Sequence, residues 1–346
     1  MSRMLDEIRQ QPEALARTLA SELRHIEKFR ALLARKKPRL VVLVARGTSD
    51  NAAQFGRYLI EITTGIPVSL AAPSVHTIYG ARMNYKDVLV VALSQSGEST
   101  DTNEVLEEAR RTGAVTVGIS NQARSALAGI AEHVFLVRSG REKSVAATKT
   151  YTGQLMILYL LAYALGAKIR IADLEAIPDM AGSALTLEAE VGAMAERYRF
   201  MHHAAVVGRG LNYASAFEFA LKLMETSYIV AERFSSADFL HGPIAMVEPN
   251  FPVFLFTPSG PTWPSMQEML TRLRDLKAET VVITDRRNLA AANLASRVIS
   301  IPARILEIYS PIPYIIPAQL FAAALAMEKN LDPDRPRALS KITRTL

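Results

Sequence analysis

Residues Ser94-Gln95-Ser96-Gly97-Glu98-Ser99-Thr100 place a cluster of hydroxyls around one glycine, after an apolar run at 88–93 and before a helical pattern at 103–111. A phosphate group is held by that combination: backbone N–H groups at a helix N-terminus, a favourable helix dipole and short hydroxyl donors. Ser and Thr also serve as helix N-caps, yet the hydroxyls outnumber what one cap uses. Gly47-Thr48-Ser49 follows an earlier apolar run, and Val145-Ala146-Ala147-Thr148-Lys149-Thr150 precedes another helical pattern. In an open parallel sheet such loops converge on one edge, where ligands bind.

Proton chemistry has its own candidates. Glu218, Lys222 and Glu225 fall at i, i+4 and i+7, so one helix face presents two carboxylates flanking an ammonium. Such a face suits a carboxylate that shuttles a proton between adjacent carbons, with a lysine steering it. It equally suits an i,i+4 ion pair on a solvated surface. His241, before a Gly-Pro turn, is an acid and base near neutral pH. His25 lies on a charged helix, His133 and His202-His203 border strands, and His76 matches Asp238 of a later segment. No spacing suggests a metal site, and no cofactor is expected. Residues 332–341 are rich in proline and charge, which predicts a frayed tail. Its Lys341 nevertheless carries an amine that could meet a carbonyl substrate.

Positioning these groups requires strands and helices in alternation. Apolar runs at 40–44, 88–93 and 115–119 alternate with helical patterns at 52–62, 103–111 and 150–165. The order repeats later, with strands at 204–207, 253–256, 281–284 and 298–301 and a helix at 213–227. Arg46-Gly47 matches Arg209-Gly210, and 74–80 matches 236–242, both at an offset of about 160 residues. The expectation is an α/β chain of two tandem parallel-sheet domains. An N-terminal helix occupies 1–38, the domains 39–180 and 197–331, and a tail 332–346. The stretch 179–196 reads as a helical linker.

Composition narrows the partners. The 346 residues carry a net charge of +6, with 49% hydrophobic and 21% charged residues, an ordinary globular balance. This excess favours small anions without calling for nucleic acid. The basic run 35–39 reads as a solvated helix end. Cysteine is absent, which fits a reducing cytoplasm. The charged start lacks a signal-peptide core, and the apolar run 155–165 is well short of the ~20 residues that span a bilayer, so no membrane partner is expected.

Five motifs in order, SQSGES at 94–99, VAATKT at 145–150, ALKLMETSY at 220–228, HGP at 241–243 and the tail Pro336-Arg337-Ala338-Leu339-Ser340-Lys341, resemble the sugar isomerase (SIS) superfamily. The likeness is greatest to the isomerase portion of glutamine:fructose-6-phosphate amidotransferases. It covers nearly the whole chain from about residue 39 to 341. The resemblance implies two flavodoxin-like SIS subdomains and a sugar-phosphate site made by Thr48, Ser94, Gln95, Ser96 and Ser99, with Val145 and Ala147 lining the sugar. It implies that Glu225 moves a proton between C1 and C2 assisted by Lys222 and Glu218, that His241 opens the ring from a second subunit of a homodimer, and that Lys341 engages C2. Met224 stands where a lysine is common before the glutamate, and Arg46 where a cysteine-like residue precedes the Gly-Thr-Ser turn. The chain holds neither a glutaminase domain nor its cysteine, from which deamination of glucosamine 6-phosphate to fructose 6-phosphate is the expected reaction. Isomerases, deaminases or deglycases of other amino sugar phosphates, and a non-catalytic sugar-phosphate sensor, are the alternatives.

Overall fold

A computed structural model describes residues 2–341. They divide into two compact units, the first formed by 13–142, 149–176 and 339–341, the second by 2–12, 143–148 and 177–338. The first unit holds β1 (Leu40–Val44), β2 (Val68–Leu70), β3 (Val88–Leu93), β4 (Val115–Ser120) and β5 (His133–Leu136) in one parallel sheet of order β2-β1-β3-β4-β5. β3 is buried along its whole length, as a strand covered on both faces must be, and this explains its unbroken apolar run.

The second unit repeats the plan. β6 (His203–Gly208), β7 (Val230–Ser235), β8 (Pro252–Phe256), β9 (Glu279–Asp285) and β10 (Arg297–Ile301) are parallel in the order β10-β9-β8-β6-β7, so β6 plays the part of β1. The expected pair of flavodoxin-like sheets is therefore present. The edge strands β2, β5 and β7 escape the apolar-run reading, β2 and β5 because they are short and β7 because it exposes Val230, Glu232 and Arg233.

Helices begin earlier than apolar periodicity suggests. Thr48–Thr64, Thr100–Arg111 and Lys149–Ala164 start inside the stretches expected to be loops, because polar first-turn residues add nothing to an apolar stripe. Thr48 and Thr100 are thus first helical residues. The linker is two helices, Ile177–Leu185 and Glu188–Arg197.

The expected single N-terminal helix is broken into Arg3–Arg9 and Gln11–Lys36. Pro12 has no N–H to donate to the Ile8 carbonyl, so an unbroken helix would orphan that acceptor. In the second unit the Gln11 amide donates to the Ile8 carbonyl at 3.2 Å and to Gln319 Oε1 at 2.8 Å.

Up to residue 341 the tail corrects the expectation of fraying; residues 342–346 of the expected tail lie outside the described residues. In the second unit, Asp334 accepts from the backbone N–H of Arg3 at 2.7 Å and of Met4 at 2.8 Å, capping the first helix from the far end of the chain. Arg337 donates its N–H to the Tyr228 hydroxyl at 2.9 Å and lays its guanidinium over that ring at 4.1 Å. Asp334→Ala should cost about 1 kcal/mol, the usual worth of a cap, measurable as a lowered denaturation midpoint with faster amide exchange at Arg3 and Met4.

Among the described residues one helix, Pro311–Glu328, is long and apolar enough to cross a membrane, and 89% of it is buried inside the fold. It is a core helix of the second unit, where Phe321 meets Phe254 at 5.0 Å, Phe219 at 5.9 Å and Tyr198 at 5.6 Å. Phe219 belongs to the helix Tyr213–Ser227, so the aromatic cluster gives the Glu218, Lys222 and Glu225 backbone a rigid bed.

Candidate active site

In the first unit the loop 94–99 and the turn at Gly47 leave β3 and β1, the two strands on either side of the point where the sheet order reverses. Open α/β sheets bind ligands at that crevice. Gly97 adopts φ +71°, and a Cβ there would stand 2.3 Å from Ser125 Oγ. The loop thus turns on a residue that only glycine fills. Gly97→Ala should destabilise the unit by about 1–3 kcal/mol. Gly47→Ala, at φ +57° and ψ −132° with nothing within 4 Å, should cost less, because it carries the strain of a backbone region that favours glycine without an added clash. Equal losses in urea melts would remove the steric argument.

Capping does not consume the serines. Ser99 is the N-cap of Thr100–Arg111 without a side-chain cap bond; its hydroxyl lies 3.2 Å from Ser94 Oγ. Ser94 Oγ also accepts from Gly97 N–H at 3.0 Å, and Ser96 Oγ from Glu98 N–H at 3.2 Å. The Ser94 and Ser99 hydroxyls thus lie together at the start of a three-turn helix, an end that favours an anion. Arg46 spans the crevice to Asp101 at 2.6 Å, joining the turn after β1 to the helix after β3.

Glu142, which the sequence reading passed over, ties this loop to other candidates. Its buried carboxylate accepts from Gln95 Nε2 at 2.8 Å, Thr150 Oγ1 at 2.6 Å and Thr150 N–H at 3.2 Å, and pairs with Lys341 Nζ at 3.2 Å. An acid beside the Val-Ala-Ala-Thr-Lys-Thr segment and a helix N-terminus was the available signal.

The second unit settles the choice between a solvated and a buried triad. Glu218 and Lys222 side chains are wholly buried and Glu225 is 22% exposed; Lys222 Nζ lies 2.6 Å from Glu225 and 3.3 Å from Glu218. The surface ion-pair reading is corrected. Burial alone would lower the Lys222 pKa, but the Glu218 and Glu225 carboxylates outweigh it and raise it above the usual lysine value. Lys222 stays an ammonium at neutral pH and cannot be the base. Of the two carboxylates, Glu225 is the one that solvent reaches.

His241 is exposed after the short helix Ser236–Leu240 of the same unit, its N–H bonded to Asp238 O at 3.1 Å. Val145 is half-buried and Ala147 buried; the segment that carries them is held by Glu7, which accepts from the N–H groups of Lys143 and Ser144. His76 bonds the Tyr85 hydroxyl at 2.9 Å, a packing role.

The duplicated crevice of the second unit is filled from within. In the loop 257–262 after β8, Thr262 N–H donates to Glu307 Oε2 at 3.1 Å, and a Cβ on Gly260 would come within 2.3 Å of that oxygen. Burial pushes the Glu307 carboxyl up. A carboxylate thus sits where the first unit offers its serine loop.

Within the first unit the structure assembles Ser94, Gln95, Ser96, Ser99 and Lys341, with Thr48 opening the helix on the other side of the crevice; within the second it assembles Glu218, Lys222 and Glu225.

Comparisons with known proteins agree with these observations. Residues 32–164 and 199–329 match the SIS domain family. A glutamine–fructose-6-phosphate aminotransferase (isomerizing) of Pyrococcus horikoshii is 33% identical over 98% of this chain, and the chain spans 57% of that relative's length. Among solved structures, the C-terminal domain of glucosamine-fructose-6-phosphate aminotransferase from Francisella tularensis superposes with a TM-score of 0.90 at 30% identity, over 97% of this chain and 98% of that one. A glucosamine-6-phosphate deaminase from Thermotoga maritima shares the fold, with a TM-score of 0.76 at 20% identity over 99% of this chain and 100% of the other.

Proposed function

Since this chain belongs to the SIS domain family, we propose that it moves a proton between C1 and C2 of an amino sugar phosphate and, with water, converts glucosamine 6-phosphate into fructose 6-phosphate and ammonia. The observation that carries this reading is the buried Glu218–Lys222–Glu225 group, in which a fixed ammonium holds one reachable carboxylate. The hydroxyl loop of the first unit and the relatives' named substrate, fructose 6-phosphate, support it.

The residues take distinct parts. Ser94, Gln95, Ser96, Ser99 and Thr48 receive the phosphate, and Val145 and Ala147 line the sugar. His241 protonates the ring oxygen to open the aldehyde. Glu225 then takes the C2 proton and returns it to C1 while one N–H proton of the amine passes to O1, so that the aldehyde becomes a primary alcohol and C2 a C=N imine, with Lys222 and Glu218 holding the charge that forms on the way. Water adds at C2, the C–N bond breaks, and ammonia leaves with the proton it gains. Lys341 hydrogen-bonds the substituent at C2. Purified protein mixed with glucosamine 6-phosphate should release ammonia and fructose 6-phosphate in equal amounts. No release anywhere between about pH 6 and 9, the span of histidine titration, overturns the reading.

The exposed His241 fits service to a second copy of the chain in a homodimer. Mixing inactive Glu225→Gln with inactive His241→Ala should then restore about a quarter of normal activity, because half of randomly paired dimers carry one intact site of two. Mixtures that stay inactive while exchanging subunits would place both residues in one chain.

A further inference from the structure

We propose that Glu142 is a positioning residue that sets the tail lysine and the phosphate loop together, so that one buried carboxylate fixes two grips on the substrate. The inference rests on the functional reading above for the parts given to Lys341 and Gln95; the coupling itself stands on geometry within the first unit.

An ionised carboxylate only accepts hydrogen bonds, and Glu142 gathers donors from three parts of the first unit. Gln95 Nε2, Thr150 Oγ1 and Lys341 Nζ approach Oε2, and Thr150 N–H approaches Oε1. Its side chain is wholly excluded from solvent, whereas that of Lys341 is 28% exposed. An ionised carboxylate so buried is costly unless paired, so the pair with Lys341 Nζ at 3.2 Å favours the drawn-in position of the tail lysine. The two Thr150 bonds anchor the carboxylate at the first turn of Lys149–Ala164, where the helix dipole favours its charge. Lys149 Nζ donates to the Arg141 carbonyl at 2.8 Å, bracing the backbone next to it.

The same carboxylate orients Gln95. Because one amide N–H is spent on Glu142, the carbonyl end of that side chain cannot turn to the same place, and the loop presents a single orientation to a ligand. A ligand that draws Gln95 away takes one donor from Glu142 and tightens its hold on Lys341. Phosphate binding at the loop and placement of the lysine are thereby linked through one group.

The test pairs a kinetic cycle with a readout that needs no substrate. Glu142→Gln removes the charge but keeps an acceptor; kcat should fall by about 10²-fold, the loss that follows a small misplacement of a reacting group. In a Lys341→Met background the same substitution should change kcat by less than about twofold, since its effect passes through the lysine. Equal losses in both backgrounds overturn the proposal. In the full-length protein, Glu142→Gln should also raise the rate of Lys341 acetylation several-fold, read by mass spectrometry, with other lysines unchanged; an unchanged rate overturns it as well. If wild type fails to turn over glucosamine 6-phosphate, the functional reading falls while the acetylation arm still decides the coupling. Should Glu142→Gln not fold, Glu142→Asp keeps the charge on a shorter arm and should give an intermediate acetylation rate; a wild-type rate would overturn the proposal.

Discussion

Glu225→Gln is expected to lower turnover of glucosamine 6-phosphate by about 10²- to 10⁴-fold, the range contributed by a positioned general base. The amide keeps the size of the side chain and can still accept a hydrogen bond from Lys222, which lies 2.6 Å away. It cannot accept a proton from carbon. Substrate affinity, assigned to the hydroxyl loop of the other unit, should therefore hold, and the loss should fall on kcat with KM little changed. Exchange of the C2 hydrogen with solvent deuterium isolates the step, because it reports proton removal even when ammonia release is slow. An unchanged exchange rate in Glu225→Gln would move the base to another residue.

Lys222→Met is expected to cost about 3–5 kcal/mol of stability, as removal of one partner from a buried ion pair does. The side chain is fully buried between two carboxylates, and Glu218 is as buried as the lysine. Without the ammonium, Glu218 must be protonated or hydrated within the fold. The melting temperature should drop by roughly 10 °C. Glu218→Gln combined with Lys222→Met should recover most of the loss, since the stranded charge is gone; failure to recover would assign the cost to packing. The sign of the pH dependence follows from the raised Lys222 pKa. Stabilisation by a group whose folded pKa lies above its unfolded value is complete below the unfolded value, near 10.4, and is lost as pH rises through the folded one. Measured against the double variant Glu218→Gln/Lys222→Met, in which no buried carboxylate is stranded, the gap to wild type should therefore stay flat from about pH 6 to 9 and narrow only in stronger alkali.

These two expectations differ in how much of them the sequence carries. The i, i+4, i+7 spacing put Glu218, Lys222 and Glu225 on one face, but a helical wheel does not say what faces that stripe. Solvent and core were both open. The helix Tyr213–Ser227 is packed between its own sheet and the apolar helix Pro311–Glu328, and that second element was not marked beforehand because three prolines interrupt its pattern. Burial turned a cheap surface ion pair into a charge held against desolvation.

The hydroxyl loop was more legible. An apolar strand, a glycine and a run of serines define a phosphate cradle locally, and its position at the sheet's reversal follows from strand order once the alternation of strands and helices is recognised. Ser99 as a cap was the competing use; it was excluded only when its hydroxyl was found beside Ser94. The duplication was equally legible from the shared offset, whereas the filling of the second crevice by Glu307 was not, because Glu307 and Gly260 are far apart in the chain and meet only through the fold.

By itself, then, the sequence determined the α/β class, the repeat, the place of the hydroxyl loop and the identity of the titratable residues, all of which follow from short-range periodicity and turn chemistry. The tertiary structure decided which charges are buried, how the tail is held, and that Glu142 joins Gln95, Thr150 and Lys341. Each of these depends on groups far apart along the chain. Local pattern carries no information on desolvation or on long-range partners, and those two quantities decide what a carboxylate or an amine does.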